Sequence, residues 1–242
     1  MTRRRWIADE ASADRAWLTG GHADHLARVL RAQPGQEFEI VSNGLVRQGK
    51  ILSVSAERVE FALGAEVAAT VLPSVVLVLA IYKFDRMEWA IEKCTELGVD
   101  RFVPVIARRT DAHLAASAEK RAERWRRIAR QAAEQSRRTA APEVDAPVPL
   151  KQVLTFPGLR VVLAETEREI SLRDAVSREA SLEGEEKRPL TLATGPEGGW
   201  TEEELQSFAK SDWVSASLGN TVLRAETAAI AATAIVFSTL GT

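Results

Sequence analysis

The chain has 242 residues, 45% hydrophobic and 27% charged, with a net charge of -2 at pH 7. That is the composition of a soluble globular protein with room for one large core or two small ones. Cys94 is the only cysteine, which excludes an intramolecular disulfide and a cysteine-built metal site, and His22, His25 and His113 lack metal-ligand spacing.

No metal is therefore expected. The N-terminus is basic but lacks the apolar stretch of a secretory signal, and the longest uncharged run, 227–242, is too short and too rich in small residues to span a membrane. The expectation is a cytoplasmic protein with no membrane partner.

Taken in order, the first 70 residues read as a small β-rich unit. Arg3, Arg4 and Arg5 precede Trp6 and Ile7. HADHLARVLR (22–31) predicts a short helix with Leu26, Val29 and Leu30 toward a core and Arg28 and Arg31 outward. EFEIVSNG, LVRQGKILSVS and ERVEFALG follow as three short alternating runs, with Asn43-Gly44 as a hairpin turn. Short strands joined by tight turns predict a small barrel. Residues 64–73 read as a linker.

Beyond it the pattern changes to alternating strands and helices. SVVLVLAIY is a continuous apolar run, as in a strand buried on both faces. The helix DRMEWAIEKCTELG follows, with Met87, Ala90, Ile91, Cys94 and Leu97 on one face and Gly98 as its stop. RFVPVIA is the next strand. Residues 118–138 predict a long amphipathic helix with Trp125, Ile128, Ala129, Ala132 and Ala133 as its buried stripe. LRVVLA precedes a helix after Ile170, PLTLAT one from Thr201, and DWVSASLG a terminal helix through Phe237. Such alternation implies an α/β domain, with a mostly parallel sheet and helices on both faces.

Charge is unevenly spread. Residues 101–138 hold eleven Lys/Arg against four Asp/Glu, and residues 165–204 hold twelve acids against five bases. A basic segment on a neutral protein fits either a nucleic-acid face or a solvated arginine-rich helix.

Two stretches carry the chemistry. In TLATGPEGGWTEEEL (191–205) an apolar run stops at Gly195, three glycines and a proline follow within five residues, and Thr201 with Glu204 forms a capping box. Strand, glycine-rich loop and helix start make a place where a ligand lies against bare backbone, at the strand end where open α/β sheets bind ligands. In LGNTVLRAETA (218–228) a second loop leads to Arg224 and Glu226 at the first turn of a helix otherwise built of Ala, Ile and Thr. That pair serves either a site or the helix end, whose positive pole favours an acid. No P-loop, dinucleotide fingerprint or nucleophile elbow occurs.

These blocks, with HLARVLR (25–31), KFDRMEWAIEKCTELGV (83–99) and RWRRIARQAAEQSRR (124–138), stand in an order that resembles the RsmE family of the SPOUT (α/β-knot) methyltransferases. GPEGG with LRAETA is the specific part. The resemblance implies a PUA-like β-barrel that binds RNA over 1–70 and a SPOUT domain with a trefoil knot over 73–242. It implies a homodimer, with 16S rRNA of the small ribosomal subunit as partner. The implied reaction is S-adenosylmethionine-dependent methylation of N3 of one uridine, the family target m3U1498.

The cofactor would rest on Thr194, Gly195, Pro196, Glu197, Gly198 and Gly199, and on Leu218, Gly219, Asn220, Val222 and Leu223. Arg224 would stabilise charge on the uridine carbonyls. Glu226 would act as base or orient Arg224, and Glu197 would be a second base or fix its loop. Arg3, Arg4, Arg5, Arg28, Arg31, Arg137 and Arg138 would position RNA. Thr221 departs from the family, which usually has arginine there. The competing readings are a SPOUT enzyme acting on another ribosomal or transfer RNA position, and a non-catalytic RNA-binding or assembly protein.

Overall fold

The computed structural model describes residues 5–42, 44–67, 74–136, 138, 140–180 and 189–240. Arg3, Arg4, Asn43, Arg137 and the 68–73 part of the linker lie outside the described residues. The chain forms two compact units, one made of the described residues within Met1–Val71 and Arg137–Ala140, the other of those within Leu72–Ser136 and Ala141–Thr242.

The first unit comprises β1 (Arg5–Ile7), β2 (Glu10–Ala11), β3 (Arg15–Thr19), α1 (Gly20–Asp24) running into a π turn (His25–Val29), β4 (Glu37–Ser42), β5 (Leu45–Val54) and β6 (Arg58–Glu66). They make one six-stranded sheet in the order β1-β4-β5-β6-β3-β2, antiparallel except where β1 runs parallel to β4. Its two edge strands are separated in sequence by only Ala8 and Asp9. Three Cα steps reach at most about 11 Å, so the sheet curls until its edges approach each other. Leu18, Leu26, Ile40, Ile51, Val59 and Phe61 fill the interior.

The β4–β5 hairpin closes with Ser42 opposite Leu45 and Gly44 at φ +78°, the left-handed backbone that a two-residue turn requires. Two expectations change. Val29 is 64% exposed rather than in the core. The i→i+5 winding of the π turn rotates less per residue than an α-helix, so position 29 does not return over Leu26. Gly64 belongs to β6, not to a linker.

The second unit begins with β7 (Val75–Ala80), α2 (Phe84–Leu97), β8 (Arg101–Ile106) and α3 (Ala112–Gln135). Two short strands follow, β9 (Glu143–Val144) and β10 (Val148–Pro149), then a 3-10 turn (Leu150–Gln152). The chain continues through β11 (Leu159–Leu163), α4 (Leu172–Ala180), β12 (Leu190–Thr194), α5 (Glu202–Lys210), β13 (Val214–Ala216) and α6 (Ala225–Leu240). All seven strands are parallel, in the order β10-β8-β7-β12-β11-β13, with β9 also paired to β8.

Strand alternation feeds two cores. Val75, Leu77 and Leu79 face α2, α3, α4 and α6, while Val78 and Ala80 face α5 and the segment around Val153. Central β12 is buried at every position, which explains its unbroken apolar character. α3 starts at Ala112, six residues before the expected start, because the Asp111 side chain accepts the His113 N–H at 2.8 Å and caps it. Leu97, expected in the buried stripe of α2, is 37% exposed in the helix's last turn.

Candidate functional site

Neighbouring parallel strands point the same way, so the loops after β11, β12 and β13 emerge together at one edge of the sheet. They enclose a cleft of about 700 Å3, lined by Leu163 to Thr166 and Arg168, by Thr194 to Trp200, and by Ala216 to Leu223.

The central loop is shaped locally. Gly199 donates its N–H to the Pro196 carbonyl at 2.8 Å and takes φ +68°, a backbone that favours glycine. The predicted capping box forms at its far end. Thr201 Oγ1 accepts the Glu204 N–H at 3.3 Å, and Glu204 Oε2 accepts the Thr201 N–H at 2.9 Å. Glu204 is buried, and its other oxygen accepts the Arg108 N–H at 2.7 Å, tying α5 to the turn after β8. Trp200 anchors the loop in the core through edge-to-face contacts that run Trp200–Phe208–Trp213, with centroids 5.0 and 4.8 Å apart.

The flanking loops are pinned as well. Glu167 Oε1 accepts the N–H groups of Arg168, Glu169 and Ile170 at 2.9, 2.7 and 3.1 Å. Hydrogen bonds from the Glu169 and Ile170 backbone hold its carboxyl below the usual carboxylate range. Ser217 exchanges backbone bonds with Ile170 and Leu172, 2.9 Å each.

The structure brings the eleven residues singled out in the two loops, Thr194 to Gly199, Leu218 to Asn220, Val222 and Leu223, around this one cleft. Thr221, at the position of the departure, lines it too. The three other singled-out roles separate. Glu197 lines the cleft and accepts a hydrogen bond from Arg86 Nη1 at 2.7 Å. Glu226 is 3% exposed under the first turn of α6, is absent from the lining, and has Arg86 Nε 3.8 Å from its Oε1. Arg224 is exposed beside cleft-lining Leu223. Of the arginines assigned to RNA, Arg5 pairs with Glu39 at 2.9 Å and Arg28 with Asp24 at 2.8 Å, Arg31 is exposed, and Arg138 is partly buried.

Four residues escaped the sequence reading. Glu165 and Arg168 bring the third loop, which the strand LRVVLA signals because it ends at the ligand-binding edge of the sheet. Arg109, after β8, donates to the carbonyls of Gly198 and Trp200 and clamps the central loop. Arg86 joins Glu197 across 111 residues. Arg86 lies within the block 83–99, where nothing local signals its carboxylate partner, and no local pattern announces Arg109.

The cleft's chemistry is that of a site for a polar molecule laid on backbone. A Cβ at Gly195 would stand 3.3 Å from Trp200 Nε1, and one at Gly198 would stand 3.3 Å from Arg109 Cδ. Thr194 Oγ1 and Trp200 Nε1 are buried in the lining with no hydrogen-bond partner among the described residues, polar atoms of the kind a bound molecule satisfies. Among the described residues no cluster of His, Cys, Asp or Glu is placed to hold a metal ion, and no helix is long and apolar enough to cross a membrane.

Comparison with known proteins places these features. Residues 70–237 match an RNA methyltransferase domain, and residues 18–63 match an RNA methyltransferase PUA domain. The ribosomal RNA small subunit methyltransferase E of Bacillus subtilis is 34% identical over 87% of this chain and 85% of its own length. That of Mycobacterium tuberculosis is 35% identical over 90% and 84%. A crystal structure of the Neisseria gonorrhoeae enzyme of that name, bound to S-adenosyl methionine, superposes with a TM-score of 0.70 at 26% identity, covering 98% of this chain and 97% of that one. The fold is thus a SPOUT (α/β-knot) methyltransferase domain preceded in sequence by a PUA-like unit. The chain belongs to the ribosomal RNA small subunit methyltransferase E family.

Proposed function

We propose that the protein methylates 16S rRNA of the small ribosomal subunit at N3 of one uridine, the m3U1498 site, using S-adenosylmethionine bound in this cleft. The observation that carries the reading is the cleft itself, a glycine-walled cavity at the carboxyl ends of β11, β12 and β13 with two buried polar atoms that have no hydrogen-bond partner among the described residues. Its volume lies within the range of small-molecule sites, roughly 300 to 1,000 Å3, and the similar Neisseria gonorrhoeae protein binds the same cofactor.

S-adenosylmethionine, when bound, supplies an electrophilic methyl carbon on a sulfonium. The chain has to hold the acceptor nitrogen in line with that carbon and exclude water. Backbone groups of Thr194 to Gly199 and Leu218 to Leu223 would hold the cofactor, and Leu218, Val222 and Leu223 would offer it apolar contacts. The N3 proton is released to solvent, and Arg224 is assigned to stabilise the negative charge that this leaves on the two uridine carbonyls. Glu197, on the cleft wall, fixes the glycine loop. Glu226 faces Arg86 rather than the cleft, which fits positioning better than proton abstraction. N3 lies on the pairing edge, so the target base is unpaired or extruded.

In this reading residues 1–70 form the RNA-binding domain and 73–242 the methyltransferase domain. Arg5, Arg28, Arg31 and Arg138, with Arg3, Arg4 and Arg137, supply phosphate contacts. The ion pairs of Arg5 and Arg28 are exposed enough to exchange for phosphate. The working form is a homodimer in the cytoplasm. Glu226 is the one charged residue of α6, yet Ile230 and Ile235 are only partly buried, and Trp89 on α2 is 49% exposed.

Methyl transfer from labelled S-adenosylmethionine to unmodified small subunits, naked 16S rRNA and transfer RNA, run in parallel, tests the reading. It predicts transfer to the ribosomal substrate with a single reverse-transcription stop at the target uridine. Transfer to transfer RNA alone would reassign the substrate, and RNA binding without any transfer would indicate a non-catalytic protein.

A further inference from the structure

Arg86 stands in the first turn of α2, within the block 83–99 but apart from the two loops that line the cleft. Its guanidinium reaches two carboxylates that belong to different cofactor-side elements. Nη1 donates to Glu197 Oε1 at 2.7 Å, and Nε lies 3.8 Å from Glu226 Oε1. Glu197 sits in the glycine loop after β12, and Glu226 in the helix that the loop after β13 enters. One side chain therefore bridges the two sides of the cleft.

The surroundings show that the bridge is not incidental. Glu226 is almost completely buried, and among the described residues its Oε2 has no hydrogen-bond partner and Arg86 is the cation it is paired with. A buried carboxylate with no cation is costly. Near it lies Tyr82, 2% exposed, whose hydroxyl also has no hydrogen-bond partner among the described residues. Burial first, then the neighbouring Cys94, Glu226 and Glu197, raise the Tyr82 pKa well above the usual tyrosine value, so this phenol stays neutral and supplies no charge. The Arg86–Glu197 half is more open, with 30% and 37% of the side chains exposed, and pairs of that kind add little to stability. Its consequence is geometric: the guanidinium hydrogen-bonds Glu197 at 2.7 Å while its Nε edge stays within ion-pair range of Glu226 at 3.8 Å, an arrangement that a lysine ammonium, a point charge on a flexible stem, does not reproduce.

We propose that Arg86 is a positioning residue for methyl transfer, a strut between Glu197 and Glu226 that sets the spacing of the glycine loop against the start of α6. This rests on the reading that the cleft binds S-adenosylmethionine. Arg86 itself touches neither cofactor nor RNA in this account. It acts by holding the cleft at the width the cofactor needs.

The test uses the full-length protein as wild type, Arg86→Lys, Glu197→Gln, the Arg86→Lys/Glu197→Gln double variant, and Arg86→Met/Glu226→Gln, which removes the buried charge together with its partner. Cofactor affinity is measured by calorimetry, KM and kcat on small subunits by methyl transfer, and stability by thermal melting. Arg86→Lys is expected to melt close to wild type while binding S-adenosylmethionine roughly tenfold more weakly, about the effect of one charge-assisted hydrogen bond. KM for the cofactor rises in step. Glu197→Gln loses a similar factor, and the double variant loses no more than either single one. Arg86→Met/Glu226→Gln melts near wild type and stays weak in binding.

Wild-type affinity in Arg86→Lys, additive losses in the double variant, or losses that track melting temperature would each overturn the strut. A wild-type protein that fails to bind the cofactor would instead bring down the functional reading and the strut with it.

Discussion

Replacing Glu204 with alanine is expected to loosen the glycine loop from its far end. The Glu204 carboxylate accepts two backbone N–H groups, from Arg108 at 2.7 Å and Thr201 at 2.9 Å, in a site only 5% exposed. Hydrogen bonds to a charged group contribute about 1.5–3 kcal/mol each, and an unsatisfied buried donor costs about 1–3 kcal/mol. α5 begins near solvent, so water recovers part of the loss, leaving roughly 3 kcal/mol. For a domain of this size that is a fall of roughly 6–12 °C in melting temperature. Glu204→Gln retains one accepting oxygen and should lose about half as much. Calorimetric melting of both variants, with and without S-adenosylmethionine, is the assay. The cofactor should recover less stability in the alanine variant than in wild type, because the loop that carries it has lost its frame. A melting point within 2 °C of wild type for Glu204→Ala would show that the carboxylate does not hold the loop.

Arg109→Met removes the clamp on the carbonyls of Gly198 and Trp200; cofactor affinity should fall roughly tenfold with little change in melting, which isothermal titration will check. Gly158→Ala places a Cβ onto the Pro189 carbonyl at φ +84°, where β11 meets β12. It should cost more than about 2 kcal/mol, seen as insoluble expression or a much lower denaturant midpoint. Burial pushes the Cys94 thiol up to about 12 from an ordinary 9.0. The folded protein therefore holds the proton more tightly than the unfolded chain. The associated stability is whole below pH 9 and is lost as pH rises toward 12, on the order of 4 kcal/mol in all. Denaturant midpoints from pH 8 to 11.5 should fall less steeply in Cys94→Ala, and thiol reagents should label native wild type only after unfolding.

What was legible in the sequence was local. The strand, the glycine loop and the capping box at Thr201 are encoded within fifteen residues, and the structure builds them as read. The α/β order was equally plain, because parallel strands buried on both faces have to be continuous apolar runs. Short edge elements left no such trace: β1, β2, β9 and β10 are two or three residues long, too brief for any periodicity to declare itself. Val29 and Leu97 sit at spacings that an ideal helix would bury. One lies in a π turn, and the other at the edge of its stripe in a final turn. The arginines of the site were hidden for a different reason. Arg86 meets Glu197, and Arg109 meets Gly198, across 111 and 89 residues, contacts that only the strand order brings about.

The most direct measurement is the chemical identity of the product. Small ribosomal subunits lacking the modification are incubated with the purified protein and labelled S-adenosylmethionine, the 16S rRNA is digested to nucleosides, and the labelled nucleoside is identified by chromatography and mass spectrometry. The expected product is 3-methyluridine, one per subunit, arising from the m3U1498 position. A methyl group on a ribose hydroxyl, on another base or on another ring atom of uridine would contradict it.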